Sequence, residues 1–448
     1  MAEVLEKLNA LVWGLPALLG ILGVGLYLTL RTGFVQLRLL PEALRRFGRM
    51  LAGKEEASSF RSLCTALGAT VGTGNLVGVA GAICLGGPGS IFWMWVCGFV
   101  GMATKYAEAV LAVRYRAREK GEILGGPMYM MAQGKGWTGL AGLYSFLGVM
   151  AAFGVGNATQ INAMVTSLRK ITGGGNLLPA VLSAALVGLL LSGGAKRIGA
   201  AAEKLVPFAA AGYMGLCVLV LFLRYDRIGE AFGMILRGAF DPKSVTGGML
   251  GSVFCALRTG CARGVFTNEA GMGTAAMAHA GAEVAHPVQQ GMMGIVEVFL
   301  DTIVICTLTA LVILCSGVAV PYGMDAGGSL TSDAFGIVCG RWTELFLTVS
   351  LCCFAFATVL GWGLYGICCA RYLLGRGSEK WFVLLQVCAA FFGAVSETGV
   401  IWTLAETVNG LMAIPNLLIL SALSGEVVEI TREYLPGGKN IAGGSCEI

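Results

Sequence analysis

Eleven apolar runs, each long enough to cross the ~30 Å hydrocarbon core of a bilayer, dominate this chain of 448 residues. They lie near 11–30, 63–85, 90–112, 141–168, 177–194, 205–223, 248–279, 291–316, 341–372, 381–397 and 400–424. Hydrocarbon offers no water to backbone N–H and C=O groups, so such runs fold as helices that satisfy their own polar groups. The expected fold class is an all-α polytopic membrane protein. Charged residues make up 13% of the chain, against roughly 25% in soluble domains. The net charge of +5 is concentrated in loops, where it signals topology and not a nucleic-acid surface. The lipid bilayer is the expected large partner, and no nucleic-acid partner is expected.

Orientation follows from the loops. The segment at 31–61 carries seven Arg and Lys residues, and "RYRAREK" follows the third run, so both belong on the cytoplasmic side. Lys196, Arg197 and Lys204, then Arg376 and Lys380, fall in further inner loops. An outer loop at 224–247 runs against this pattern, with four basic residues partly offset by Asp226, Glu230 and Asp241. The reading is a multi-pass cell-membrane protein with its N-terminus outside and its C-terminus cytoplasmic. The start, "MAEVLEKLNALVWGLPALLG", is acidic and lacks the basic region and cleavage site of a secretory signal. The 15 cysteines lie mostly inside apolar runs without C-x-x-C spacing, which reads as buried small side chains and not as a disulfide framework or zinc site.

Two of the runs are interrupted. The second contains "GATVGTGNLVG" at 68–78, and the seventh contains "LRTGCARGVFTNEAGMG" at 257–273. Glycine costs about 1 kcal/mol of helix propensity relative to alanine, and an opened turn at membrane depth needs partners other than water. The two interruptions begin two sets of five runs, and an odd repeat length inverts the second copy. The chain is therefore read as one transporter domain, 1–448, with an extra N-terminal helix at 11–30, inverted repeats at 63–223 and 248–424, and a cytoplasmic tail at 425–448. Broken helices at matching positions of inverted halves point to a binding site near the midplane.

The chemistry of such a site follows from helix ends. A half-helix N-terminus presents free N–H groups to an anion, and a C-terminus presents carbonyls to a cation. A zwitterionic amino acid carries both charges, so two opposed broken helices complement it. The substrate carboxylate is expected at the N–H groups of Thr73 and Gly74, and its ammonium at carbonyls around Thr259 and Gly260. Asn75 and backbone carbonyls are candidates to coordinate sodium, a hard cation that prefers oxygen.

Other polar residues at membrane depth are weighed in turn. Asn157 and Gln160 share a helix face by their i, i+3 spacing and are read as lining the site, with Phe153 one turn earlier as a wall or lid. Glu297 and Asp301 are expected to pair with Arg258 or Arg263, and Lys105 with Glu108 at a helix end. Glu269 is read as a gate or as a cap on a helix break, and His279 and His286 as polar loop residues. No nucleophile–base pair or metal cluster shares one depth, which argues against an enzyme. Coupling to a proton through Glu269 or Glu297, and a sensor that binds without transport, stay open as alternatives to sodium-coupled import.

The stretches "TALGATVGTGNLVGVAGAICLGGPGSIFWMW", "GMATKYAEAVLAVRYR", "RGVFTNEAGMG" and "WTLAETVNGLMAIPNLL" together resemble the alanine or glycine:cation symporter family. That resemblance implies a leucine-transporter-like inverted-repeat fold and sodium-coupled import of small neutral amino acids such as alanine and glycine by alternating access, with sodium as coupling ion and no organic cofactor. It also implies that Gly68 and Val71 carbonyls hold sodium, that Thr73 and Gly74 hold the substrate carboxylate, and that Asn75 sits beside the ligand. The stretch "FAFATVLGWGLYGI" is similar to the family's eighth core helix. There Thr358 and Trp362 match, Ala357 stands where a hydroxyl is expected and Ile367 where a glutamate is expected. Thr358 and the Phe354 carbonyl are the sodium ligands this implies, and Trp362 joins the substrate site.

Overall fold

The structure, a computed structural model, describes residues 7, 9, 11–119, 121–248, 252–324, 327–396 and 399–435. The described residues are helical almost throughout, and among them is one two-stranded antiparallel hairpin, β1 (Ala117–Glu119) and β2 (Glu122–Leu124). The helices that build the site are α1 (Leu15–Arg31), α2 (Val35–Leu51), α3 (Ala57–Thr70), α4 (Val79–Gly86), α5 (Ser90–Arg114), α6 (Thr138–Phe153), α7 (Thr159–Thr172), α8 (Leu177–Leu191), α9 (Gly194–Leu223), α10 (Val253–Asn268), α11 (Thr274–His279), α12 (Pro287–Val298), α13 (Cys306–Ser316), α14 (Trp342–Leu374), α15 (Ser378–Val395) and α16 (Gly399–Ala422). Short π-helical segments interrupt three of the paths, at Gly74–Gly78, Gly154–Ala158 and Phe299–Ile305.

Seven helical stretches among the described residues are long and apolar enough to cross a membrane, and nine if each of two bent pairs counts as one span. The count of eleven is not reached on those grounds. Helix α8 is a shorter apolar helix, and the expected span at 248–279 divides into a 16-residue α10 and a 6-residue α11. The bend of 47° between α3 and Gly74–Gly86 is the first break expected from the sequence.

The other bent pair, α1 and α2 at 81°, corrects the reading of 31–61 as loop. Gly33 at φ 64 and Phe34 at φ 57 turn the chain, and α2 then buries Val35, Leu39, Ala43, Arg46 and Met50 on one face. Arg46 is held there by Glu55 at 2.9 Å. The expected tail at 425–448 is corrected in its first part. Residues Ser424–Tyr434 form a helix docked through Thr431 on Tyr106 (2.8 Å) and Glu426 on Tyr115 (2.5 Å); residues 436–448 lie outside the described ones. At the end of α14, Arg371 pairs with Glu119, Glu122 and Glu379, tying the hairpin to α14 and α15. The Arg371 guanidinium holds the Glu122 carboxyl below the usual carboxylate range.

Helix α5 lies close against α10 and α12. A Cβ on Gly260 of α10 would lie 2.2 Å from the Ser90 carbonyl oxygen of α5, and one on Gly264 3.0 Å from the Cys97 Cβ. A Cβ on Gly294 of α12 would lie 2.8 Å from the Lys105 carbonyl oxygen. These glycines let helices touch backbone to backbone, as small residues do in membrane bundles.

Between α5, α11 and α12 lies a buried polar network. Lys105 Nζ is 3.2 Å from Glu297 Oε1, and both side chains are 0% exposed. Glu297 Oε2 is 2.9 Å from His279 Nε2, Gln290 lies 2.7 Å from His279 Nδ1, and Ser59 donates to Gln290 Oε1 at 2.6 Å. This corrects three expectations. Glu297 pairs with Lys105 and His279 and not with Arg258 or Arg263, Lys105 is not an interfacial partner of Glu108, and His279 is fully buried. A charge this deep is retained only with a partner.

Gly260→Ala is expected to lower stability by about 1–3 kcal/mol, the usual cost of overpacking, seen as a reduced thermal midpoint of the purified protein; an unchanged midpoint would contradict the packing described. Lys105→Met, which strands Glu297, is expected to cost about 3–5 kcal/mol. Adding Glu297→Gln should recover part of that loss in a double-mutant cycle of thermal midpoints. Additive losses would show the pair is not coupled.

Candidate functional site

The first break opens because α3 cannot continue past Val71, which has φ −74 and ψ 96. The Gly72 N–H donates to Asn75 Oδ1 at 2.9 Å, and Asn75 Nδ2 donates to Asp301 Oδ1 at 2.7 Å. Asn75 is thus a brace inside the break. Thr73 occupies the N-cap of the segment that starts at Gly74 and runs into α4, but its side chain makes no cap bond. The Thr73 hydroxyl instead lies 3.3 Å from Gln160 Oε1. The first N–H groups of a helix have no carbonyl one turn back to receive them, so this end is an electropositive, uncapped terminus.

The second break lies at Glu269–Gly273, between α10 and α11. Glu269 is a non-glycine residue at φ 52, with Gly271 at φ 94 and Gly273 at φ 79 close behind. A left-handed non-glycine residue costs on the order of 1–3 kcal/mol and persists only where its surroundings fix it. Here Trp362 Nε1 donates to Glu269 Oε1 at 3.1 Å and the Thr274 hydroxyl to Oε2 at 2.6 Å. Glu108 Oε1 accepts from Gly271 N–H (3.0 Å), Gly273 N–H (3.1 Å) and Asn416 Nδ2 (2.8 Å), and Asn416 also donates to the Gly271 carbonyl at 2.9 Å. The opened turn is bonded by side chains where a soluble protein would use water.

Both breaks border one small cavity. Thr73 and Gly74 stand on its first-break side and Phe266 and Glu269 on its second-break side; Gln160, Thr358, Trp362 and Asn409 complete its polar rim. Trp362 reaches the cavity because Gly156 yields room, a Cβ there falling 2.3 Å from the Trp362 Cβ. Beside the cavity three oxygens converge. Thr358 Oγ1 lies 3.1 Å from both the Gly68 and the Phe354 carbonyl oxygens. Val71, at the departure from helical geometry, follows Gly68 by three residues.

The remaining expected residues lie elsewhere. Thr259 and Gly260 sit inside the continuous α10, eight or more residues before its end at Asn268, about 12 Å along the axis at 1.5 Å per residue. Their carbonyls belong to the helical ladder, and Thr259 borders a second, wider cavity with Arg258, Arg263, Trp13 and Glu406. Phe266 lines both cavities. Asn157 donates to the Gln386 backbone carbonyl at 2.7 Å and to that residue's side chain, joining the Gly154–Ala158 segment to α15. Phe153 stacks near Phe382, with ring centroids 5.1 Å apart. Neither lines the smaller cavity. Sequence reasoning missed Phe266 and Asn409 as lining residues and Glu108 and Asn416 as the bonds that hold the second break; the run "TVNGLMAIPN", with two asparagines at membrane depth, was the available signal.

Residues 1–442 match the sodium:alanine symporter family. The chain is 41% identical over 450 residues to the sodium/alanine symporter AgcS of Methanococcus maripaludis, covering 98% of each chain. It is 34% identical over 444 residues to the probable sodium/glutamine symporter GlnT of Bacillus subtilis, covering 97% of this chain and 91% of that one. Its fold is similar to the crystal structure of MhsT in complex with L-phenylalanine, with a TM-score of 0.56 at 14% identity, covering 83% of this chain and 97% of that one. The leucine-transporter-like fold expected from the sequence is thereby established, and with it a multi-pass membrane protein that is a transporter and not an enzyme. The chain belongs to the sodium:alanine symporter family.

Proposed function

We propose that the protein imports small neutral amino acids, alanine and glycine foremost, in symport with sodium by alternating access. The observation that carries this reading is the meeting of two opposed helix ends on one small cavity, the uncapped N-terminus at Thr73 and Gly74 and the C-terminus of α10 at Glu269. The substrate carboxylate fits the N–H groups that open at Gly74, where the helix dipole favours an anion. The ammonium fits the opposite side, where the last carbonyls of α10 and the Glu269 carboxylate concentrate negative potential. This replaces Thr259 and Gly260 as the expected ammonium partners. Phe266, Trp362 and Val155 limit the room for a side chain, which favours small substrates.

Sodium is cargo here. The Gly68 and Phe354 carbonyls and the Thr358 hydroxyl offer a set of neutral oxygens suited to a hard cation, with Val71 as a further carbonyl. Ala357 adds no hydroxyl, so Thr358 is the one side-chain oxygen in this set. Sodium bound there would tie α3 to α14 beside the cavity, so ion and substrate would favour the same arrangement of helices. The basic inner loops support an N-terminus outside and a C-terminus in the cytoplasm. In that orientation the wider cavity is an outer vestibule, and Phe266 is the partition a substrate must pass.

Two variants test the roles. A Cβ on Gly74 would lie 3.2 Å from Thr267 Cγ2, so Gly74→Val is expected to abolish sodium-driven alanine uptake in proteoliposomes while the protein still reconstitutes. Retained uptake would remove Gly74 from the site. Thr358→Ala, which deletes one ligand oxygen, is expected to raise the sodium concentration for half-maximal uptake about tenfold, roughly 1.4 kcal/mol. An unchanged sodium dependence, or uptake driven equally by a proton gradient alone, would count against sodium at this position.

A further inference from the structure

We infer that Asn409, on α16, is a substrate-recognition residue that accepts a hydrogen bond from the transported ammonium group. The inference rests on the functional reading above and adds to the site a helix outside the two broken ones.

Asn409 lines the smaller cavity and is 2% exposed. Its Oδ1 is buried without a hydrogen-bond partner among the described residues. Buried side-chain amides in native proteins are paired, and one left unpaired on a cavity wall marks a position completed by something that enters the cavity. The other polar side chains around this cavity are already engaged. Thr70 donates to the Ala66 carbonyl, Thr73 and Gln160 face each other, Gln160 also donates to the Val155 carbonyl, Thr358 lies between two carbonyls, and Trp362 donates to Glu269. Each Glu269 oxygen already accepts one bond. A primary ammonium brings three N–H donors and no acceptor. It takes acceptors beyond the carboxylate and the last carbonyls of α10, and among the described residues that line this cavity the Asn409 carbonyl oxygen is the uncommitted side-chain acceptor. The carboxylate of the same substrate takes the N–H groups at Gly74, which leaves Asn409 to the ammonium.

The helix is placed to hold such a residue still. Ala405, one turn earlier, abuts Gly154, where a Cβ would fall 2.6 Å from the Ala405 Cβ. Gly410, the next residue, packs on Val12 and Trp13, and Trp13 Nε1 donates to the Glu406 carbonyl at 2.9 Å. About two turns beyond Asn409, α16 carries Asn416, which bonds the second break itself. Substrate contact at Asn409 would therefore couple the ligand to the helix that braces the break.

The test compares uptake of alanine and of N-methylalanine, which has one N–H fewer, in proteoliposomes containing wild type, Asn409→Ala, Asn409→Leu and Asn409→Asp. Loss of the acceptor in Asn409→Ala is expected to raise the alanine KM about tenfold with a maximal rate within about twofold of wild type, and to shrink the preference for alanine over N-methylalanine. Asn409→Leu keeps the volume and is read the same way should the alanine variant not fold. Asn409→Asp keeps an acceptor oxygen and is expected to stay within about threefold of the wild-type KM. An alanine KM and a preference unchanged in Asn409→Ala and Asn409→Leu, or a loss in Asn409→Asp as large as in Asn409→Leu, would overturn the assignment while leaving the transporter reading intact. Wild type that accumulates no alanine under any cation gradient would remove both.

Discussion

Hydrocarbon cannot hydrogen-bond a backbone, and the two helix breaks of this protein are arranged around that constraint. Where α3 and α10 end at membrane depth, the freed N–H and C=O groups are met by side chains from distant helices. Asn75 receives the Gly72 N–H and is itself held by Asp301. Glu108 receives two N–H groups of the second break, and Asn416 serves both Glu108 and the Gly271 carbonyl. These bonds fix the opened turns, and what they leave unmet faces the cavity. The functional proposal is in this sense a question of residual valence: a helix terminus of positive character on one side, carboxylate and carbonyls on the other, and a cluster of neutral oxygens beside them.

The same constraint explains why charge is so deeply buried. Lys105, Glu297 and His279 are all fully buried, and their mutual bonds tie α5, α11 and α12 behind the second break. Replacing such a network with apolar residues can be neutral for stability in other proteins. Here it ties α5 and α12 to α11, the helix that follows the strained Glu269–Gly273 turn. The glycines of α10 and α12 serve the same end by bringing backbones together.

Much of this was legible in the sequence. The membrane class, the break at "GTGN", and the gathering of Thr73, Gly74, Gln160, Thr358 and Trp362 on one cavity were all expected from composition, breakers or resemblance. The second break fell inside the expected stretch at 257–273, at Glu269–Gly273, but not at Thr259 and Gly260. Glycine in "TGCARG" reads the same whether it supplies a left-handed turn or a close helix contact, and only three-dimensional packing distinguishes Gly260, which touches Ser90, from Gly271, which turns the chain. Asn157 looked like a cavity residue because its face was right, but its partner Gln386 lies 229 residues away. Asn409 was one of two asparagines in the run "TVNGLMAIPN", and nothing local told which of them faces the cavity. The turn at Gly33–Phe34 that makes a helix of the basic segment was hidden by its charge, which signals sidedness and says little about secondary structure.

The most direct measurement is an experimental structure of the protein with alanine and sodium bound, at a resolution that places both. The expected result is alanine between the Gly74 N–H end and Glu269, with sodium among the Gly68 and Phe354 carbonyls and Thr358. Alanine bound away from the two breaks, or a cavity closed by protein hydrogen bonds from Thr73 and Gly74 while transport-competent ligand is present, would contradict the central claim.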